Sequence, residues 1–167
     1  MRLAVAAVAG SLILMTPAAA AVWATYLFRG PLQDLSATSA LFDGASAKVL
    51  LQTSSDSSRV VLAVKGIDPT LAGNRYGAHL HIGPCVVGNA AAAMGHYNVS
   101  TADPVVISAQ TEVWLDFTVD TDGEGRAVAR VPFVPVAAAR SVVVHALQTA
   151  PVTGIAGPRL ACLPVEW

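Results

Sequence analysis

From Glu112 to Asp120 the chain alternates: Val113, Leu115, Phe117 and Val119 share one face, while Glu112, Asp116, Thr118 and Asp120 share the other. A period of two is the mark of a strand with one buried side. Similar short segments recur at Ala24 to Leu27 before Gly30-Pro31, at Lys48 to Thr53, and at Arg59 to Lys65. Ser54 to Ser58 supplies a polar turn between the last two, which predicts a hairpin. Asp120 to Gly125 reads as a turn, with Arg126 to Val131 returning as partner of the Glu112 strand. This turn has the order of a calcium loop, but the twelve-residue spacing and terminal glutamate are missing, so a hairpin turn is the better reading. Arg140 to His145 is a further buried strand, and Ala90 to Ala93 is long enough only for a helical turn. Short strands without one convincing amphipathic helix predict an all-β sandwich or barrel.

The first residues are of another kind. Arg2 precedes an apolar run from Leu3 to Met15, and Ala18 to Ala21 offer small residues for cleavage. That is the pattern of a signal peptide over residues 1–21, leaving one domain at 22–167. Val22 to Phe28 prolong the apolar stretch and keep an uncleaved anchor as the rival reading, although Ser11 and Pro17 interrupt it. The expected destination is therefore outside the cytoplasm, as a periplasmic, cell-surface or secreted protein, with no membrane contact after cleavage. Without Arg2, nine basic face eleven acidic side chains, a net charge of −2. No basic block or arginine-rich stripe is visible, so nucleic acid is not an expected partner. Two cysteines, Cys85 and Cys162, in an exported chain predict one intramolecular disulfide. Nothing in the sequence fixes the oligomeric state.

His79 and His81 stand at i and i+2 of an extended segment, so their rings share one face about 6.8 Å apart. Cys85 follows just past Gly83-Pro84, where a staple could pin the loop. His96 lies in the loop beyond, and His145 ends an apolar strand. Any one of these histidines alone reads as an ordinary core or surface residue. Together they offer nitrogen-rich coordination suited to copper or zinc, with the metal left open by spacing.

Gly77-Ala78-His79-Leu80-His81, Cys85, Gly95-His96-Tyr97-Asn98, Arg140 to His145, and Ala156 to Cys162 occur in an order that resembles the copper/zinc superoxide dismutase family. The likeness is to its exported bacterial branch and runs from about Lys48 to Cys162; the first mature residues match poorly. The resemblance implies an eight-stranded Greek-key barrel flattened into a sandwich. It implies that His79, His81, His96 and His145 bind copper, and that His96 also carries a proton during turnover. Arg159 resembles the arginine that draws the superoxide anion to the metal, and Cys85 with Cys162 resembles the family disulfide. The implied activity is disproportionation of superoxide to oxygen and hydrogen peroxide.

The chain departs from the family in two places. Between His96 and His145 there is no histidine, so the family's zinc site cannot be built. The 13 residues between His145 and Arg159 carry no charge, where the family has a charged loop. Both departures imply a copper-only member. Glu112, 16 residues after His96, falls near the position of the family's zinc aspartate and could accept a hydrogen bond from His96 in place of zinc. A solvent-exposed glutamate at a strand start is an equal reading. Loss of zinc and loop charge also keeps open a copper-sequestering protein without turnover and, more weakly, a sandwich without metal. Asn98-Val99-Ser100 fits a glycosylation pattern and reads as a chance match.

Overall fold

The structure is a computed structural model that describes residues 24–36 and 40–167; the expected leader, residues 1–21, lies outside them. The strands are β1 (Ala24–Pro31), β2 (Gln33–Asp34), β3 (Ser46–Thr53), β4 (Ser58–Lys65), β5 (Arg75–Tyr76), β6 (Ala78–His81), β7 (Phe117–Thr118), β8 (Gly125–Val131), β9 (Ala139–His145) and β10 (Arg159–Glu166). The first sheet has the order β1-β3-β4-β8 and the second β2-β10-β9-β6, while β5 and β7 form a small ribbon. All pairings are antiparallel. The chain is thus all-β, and of the expected barrel or sandwich it adopts the sandwich, because the two large sheets are not joined by hydrogen bonds.

Alternation explains the layering. Val49 and Leu51 of β3, Leu62 and Val64 of β4, Val142 and Val144 of β9, and Leu163 and Val165 of β10 meet in one core. Burial of such side chains stabilises the fold by roughly 1.5–3 kcal/mol each. Trp167 packs on Tyr26 and Phe28, with ring centroids 6.1 and 5.8 Å away, and closes one flank. The β3–β4 hairpin forms as expected, with Thr53 opposite Ser58 and Ser54 N–H donating to Ser57 O at 2.9 Å.

The partner assigned to Arg126–Val131 needs correcting. β8 pairs with β4, placing Val128 opposite Val61, and not with the Glu112 segment. That segment keeps its alternating burial but serves two other neighbours. Leu115 N–H donates to Ala78 O at 2.7 Å on the free edge of β6, and farther on Phe117 pairs with Tyr76. The Asp120 turn is held by its own carboxylate, which accepts from the amides of Asp122 and Glu124. Ala90–Ala93 forms a single 3-10 turn capped by Asn89.

Ala78 and Leu80 point into the core, so His79 and His81 of β6 face outward, away from the first sheet. Loops cover them there. A disulfide joins Cys85, in the loop after β6, to Cys162 of β10, with Cα atoms 5.7 Å apart. Gly83 lets that loop lie close, since a Cβ there would fall 2.1 Å from Ala92 O.

Candidate metal centre

The outer edge of β6 gathers the histidines. His96 pairs with His81 through the backbone, Trp114 with His79, and Asn98 with Glu112. His145 N–H donates to Gly77 O at 2.7 Å, which brings the end of β9 to the same place. One ring nitrogen from each of His79, His81, His96 and His145 lies within 4.8 Å of the others, so the group could hold a metal ion.

Hydrogen bonds decide which nitrogen each ring presents. His81 Nδ1–H donates to Met94 O at 3.1 Å, and His145 Nδ1–H donates to Gly157 O at 3.1 Å. A carbonyl accepts only, so both rings keep a lone pair on Nε2. His96 Nδ1–H donates to Glu112 Oε2 at 2.9 Å. For His79 the bond runs from Nε2–H to Thr149 Oγ1 at 2.7 Å, because the threonine hydroxyl donates its own proton to Asp116 Oδ1 at 2.6 Å. His79 Nδ1 is then left buried with no partner. His81 Nε2 and His145 Nε2, each with a lone pair, stand 3.2 Å apart. Two facing lone pairs and one orphaned acceptor are unfavourable unless a cation sits among them. A metal ion fits this donor set.

His79 and His81 are 0% exposed. Burial, reinforced by the neighbouring imidazoles, pushes His79 down to about 2 and His81 to about 3. Burial brings His145 to about 4, with the Gly157 carbonyl opposing it. All three rings are uncharged ligands at neutral pH. An unfolded histidine titrates near 6.5. As pH falls below that value the unfolded chain binds protons that the folded one refuses, so the penalty on the metal-free fold is absent above about 6.5 and grows as pH falls through about 4 toward about 2. Thermal unfolding of metal-free protein between these limits is expected to show a falling midpoint, and a flatter one in the H81Q/H145Q chain. Equal slopes would contradict the assignment.

Glu112 is 3% exposed and therefore not the solvent-facing residue that the sequence left open. Its Oε2 accepts from His96 and, at 2.8 Å, from Trp114 Nε1; its Oε1 accepts from Asn98 Nδ2 at 3.0 Å. Burial raises the carboxyl pKa, but the three donors outweigh it and hold the group below its usual range. Gly154, at φ 68°, crosses directly over this pair; a Cβ there would meet Ile107 Cγ2 at 2.6 Å. Asn98 has both amide hydrogens engaged, on Glu112 and on Val106 O.

Arg159 begins β10, and its guanidinium donates to Ala90 O at 2.6 Å and to Met94 O. The Met94 carbonyl thus accepts from both Arg159 and His81. Sharing that carbonyl places Arg159 beside the ring cluster, where its charge adds to burial in lowering the proton affinity of His81 and His145. His79, His81, His96, His145, Glu112 and Arg159 are brought together here, while Cys85 and Cys162 are joined to each other in a separate small apolar cluster. Thr149, Asp116, Trp114 and Asn98 were not foreseen; Asp116, on the polar side of the most regular alternation, was the one with a signal.

No protein-family model and no curated protein matches the chain.

Proposed function

We propose that the protein is a copper-only superoxide dismutase acting outside the cytoplasmic membrane. The observation that carries this reading is the ring-nitrogen accounting: four nitrogens converge, and every other imidazole nitrogen is committed to a fixed partner. Imidazole-rich sites suit copper. When bound, copper supplies a one-electron redox couple that turns two superoxide anions and two protons into oxygen and hydrogen peroxide. Zinc has no place in the reading, since His96 Nδ1 is taken by the Glu112 carboxylate.

The remaining work falls to residues of this chain. Arg159 is a permanent cation beside His81, suited to holding a small anion near the ligands. His96 is the one ring of the four that is not buried, its side chain 18% exposed, so it can pass a proton between solvent and site. Glu112 and Thr149 orient His96 and His79.

The test is to load purified protein with Cu(II), measure stoichiometry, and follow superoxide consumption for it and for Arg159→Ala. Stoichiometric copper and turnover are expected, with Arg159→Ala slower on the order of tenfold, equivalent to about 1.4 kcal/mol of anion attraction. Copper without turnover would leave the sequestering reading, and no copper would leave neither. Thr149→Val removes the acceptor of His79 Nε2–H and is expected to weaken copper binding about 10–100-fold, while Thr149→Ser retains it. A competitive chelator titration measures both.

A further inference from the structure

The linear sequence has no basic stripe, but the register of the first sheet builds a cationic face. On its outer side Arg29 is opposite Lys48, Lys48 opposite Ala63, and Ala63 opposite Arg126. Two steps along the strands, Arg59 is opposite Arg130. With Lys65, this face holds six of the nine basic residues in the described chain. Like charges directly opposite one another destabilise a sheet. Lys65 pairs with Glu124 at 2.7 Å and Arg59 bonds to Gln52, whereas among the described residues Arg29, Lys48, Arg126 and Arg130 have no hydrogen-bonded or ionic partner.

Between the two cationic rows runs an apolar one: Leu27, Leu50, Val61 and Val128 lie in register. Leu27 is 49% and Val128 47% exposed. Cavities open at each cationic row, one of about 420 Å³ beside Arg59 and Arg130 and one of about 450 Å³ beside Arg29, Lys48 and Lys65.

We propose that this face docks the protein on an anionic phospholipid surface. Phosphodiester headgroups would occupy the two cationic cavities and relieve the repulsion of the paired cations. Leu27 and Val128, the exposed ends of the apolar row, would enter the boundary of headgroups and acyl chains, with Val61 buried between them. A soluble polyanion would satisfy the charges but leave that row unused. β1, the edge strand of this face, begins three residues beyond the expected cleavage after Ala21, so an uncleaved leader would keep the face close to the bilayer. The histidine cluster lies under loops on the outer side of the second sheet, so docking through the first sheet leaves that side of the molecule uncovered. Such docking would run against the expectation of no membrane contact after leader cleavage, which came from the linear pattern.

The test is vesicle co-sedimentation of the exported protein with phosphatidylcholine alone and with phosphatidylcholine containing about one-third phosphatidylglycerol. Binding is expected to the anionic vesicles only and to be lost at high salt. Arg29→Gln/Lys48→Gln/Arg126→Gln is expected to bind roughly fivefold more weakly per charge removed, with an unfolding midpoint no lower than that of the parent. Arg59→Gln/Arg130→Gln tests the other row in the same way. Leu27→Ser/Val128→Ser is expected to weaken binding while keeping its salt dependence. Equal binding to neutral vesicles, or unchanged binding of both charge variants, would overturn the proposal. So would capture by heparin or duplex DNA in the absence of vesicle binding.

Discussion

Glu112→Ala is expected to destabilise the folded chain by about 2–5 kcal/mol and to weaken copper binding about 10–100-fold. The size follows from what is left behind. His96 Nδ1–H, Trp114 Nε1–H and an Asn98 amide hydrogen all lose the buried carboxylate that accepts from them. His96 also becomes free to turn, and its alternative tautomer would present N–H to the other three rings. Glu112→Gln keeps the shape but has one acceptor oxygen where two are used, so an intermediate loss is expected in both quantities. Denaturant unfolding of metal-free protein and chelator competition for copper read the two effects separately. If Glu112→Gln matched the parent in both, the carboxylate would not be the group that orients His96.

Removing the disulfide is expected to have a comparable effect by a different route. Cys85 and Cys162 are 77 residues apart, and the chain-entropy model assigns a loop of that length up to about 4.5 kcal/mol. Cys85→Ser/Cys162→Ser also frees the loop that carries Met94, whose carbonyl fixes both His81 and Arg159. On the proposed reading activity is therefore expected to fall further than copper occupancy does, because Arg159 would lose its position along with the partner that fixes the His81 tautomer. Denaturant midpoints with and without reductant test the first part, and turnover per bound copper tests the second. A double variant with unchanged turnover per copper would show that Arg159 holds its place unaided.

Local pattern made much of this legible. The Val113, Leu115, Phe117 and Val119 face is buried as its period requires, and the i, i+2 histidine pair lies on one side of β6. Glu112 could be singled out only through the resemblance to the dismutase family, as a carboxylate near the place of that family's zinc aspartate, and a solvent-exposed glutamate was an equal reading. What stayed hidden depended on pairing between distant segments. The Arg126–Val131 strand lies next to its apparent partner in sequence, but β4 offers a full-length edge that the Glu112 segment, already bound to β6 and β5, does not. Thr149 sits in an uncharged stretch with no periodicity, and only the fold brings it to His79, 70 residues away. Arg29, Lys48, Arg59, Arg126 and Arg130 come together only through the register of four strands.

The ring-nitrogen partners also have a temporal meaning. His79 is oriented from 70 residues downstream, and His81 faces His145 across 64 residues. Contacts that close such long segments require the chain to give up loop entropy before any gain returns, so they belong to the late part of folding. If the cluster holds a metal as proposed, a half-folded chain would offer only four unaligned imidazoles with no shared geometry to hold it. Discrimination among metals would then belong to the finished fold, and an ion taken up early would have no geometry to lock it in.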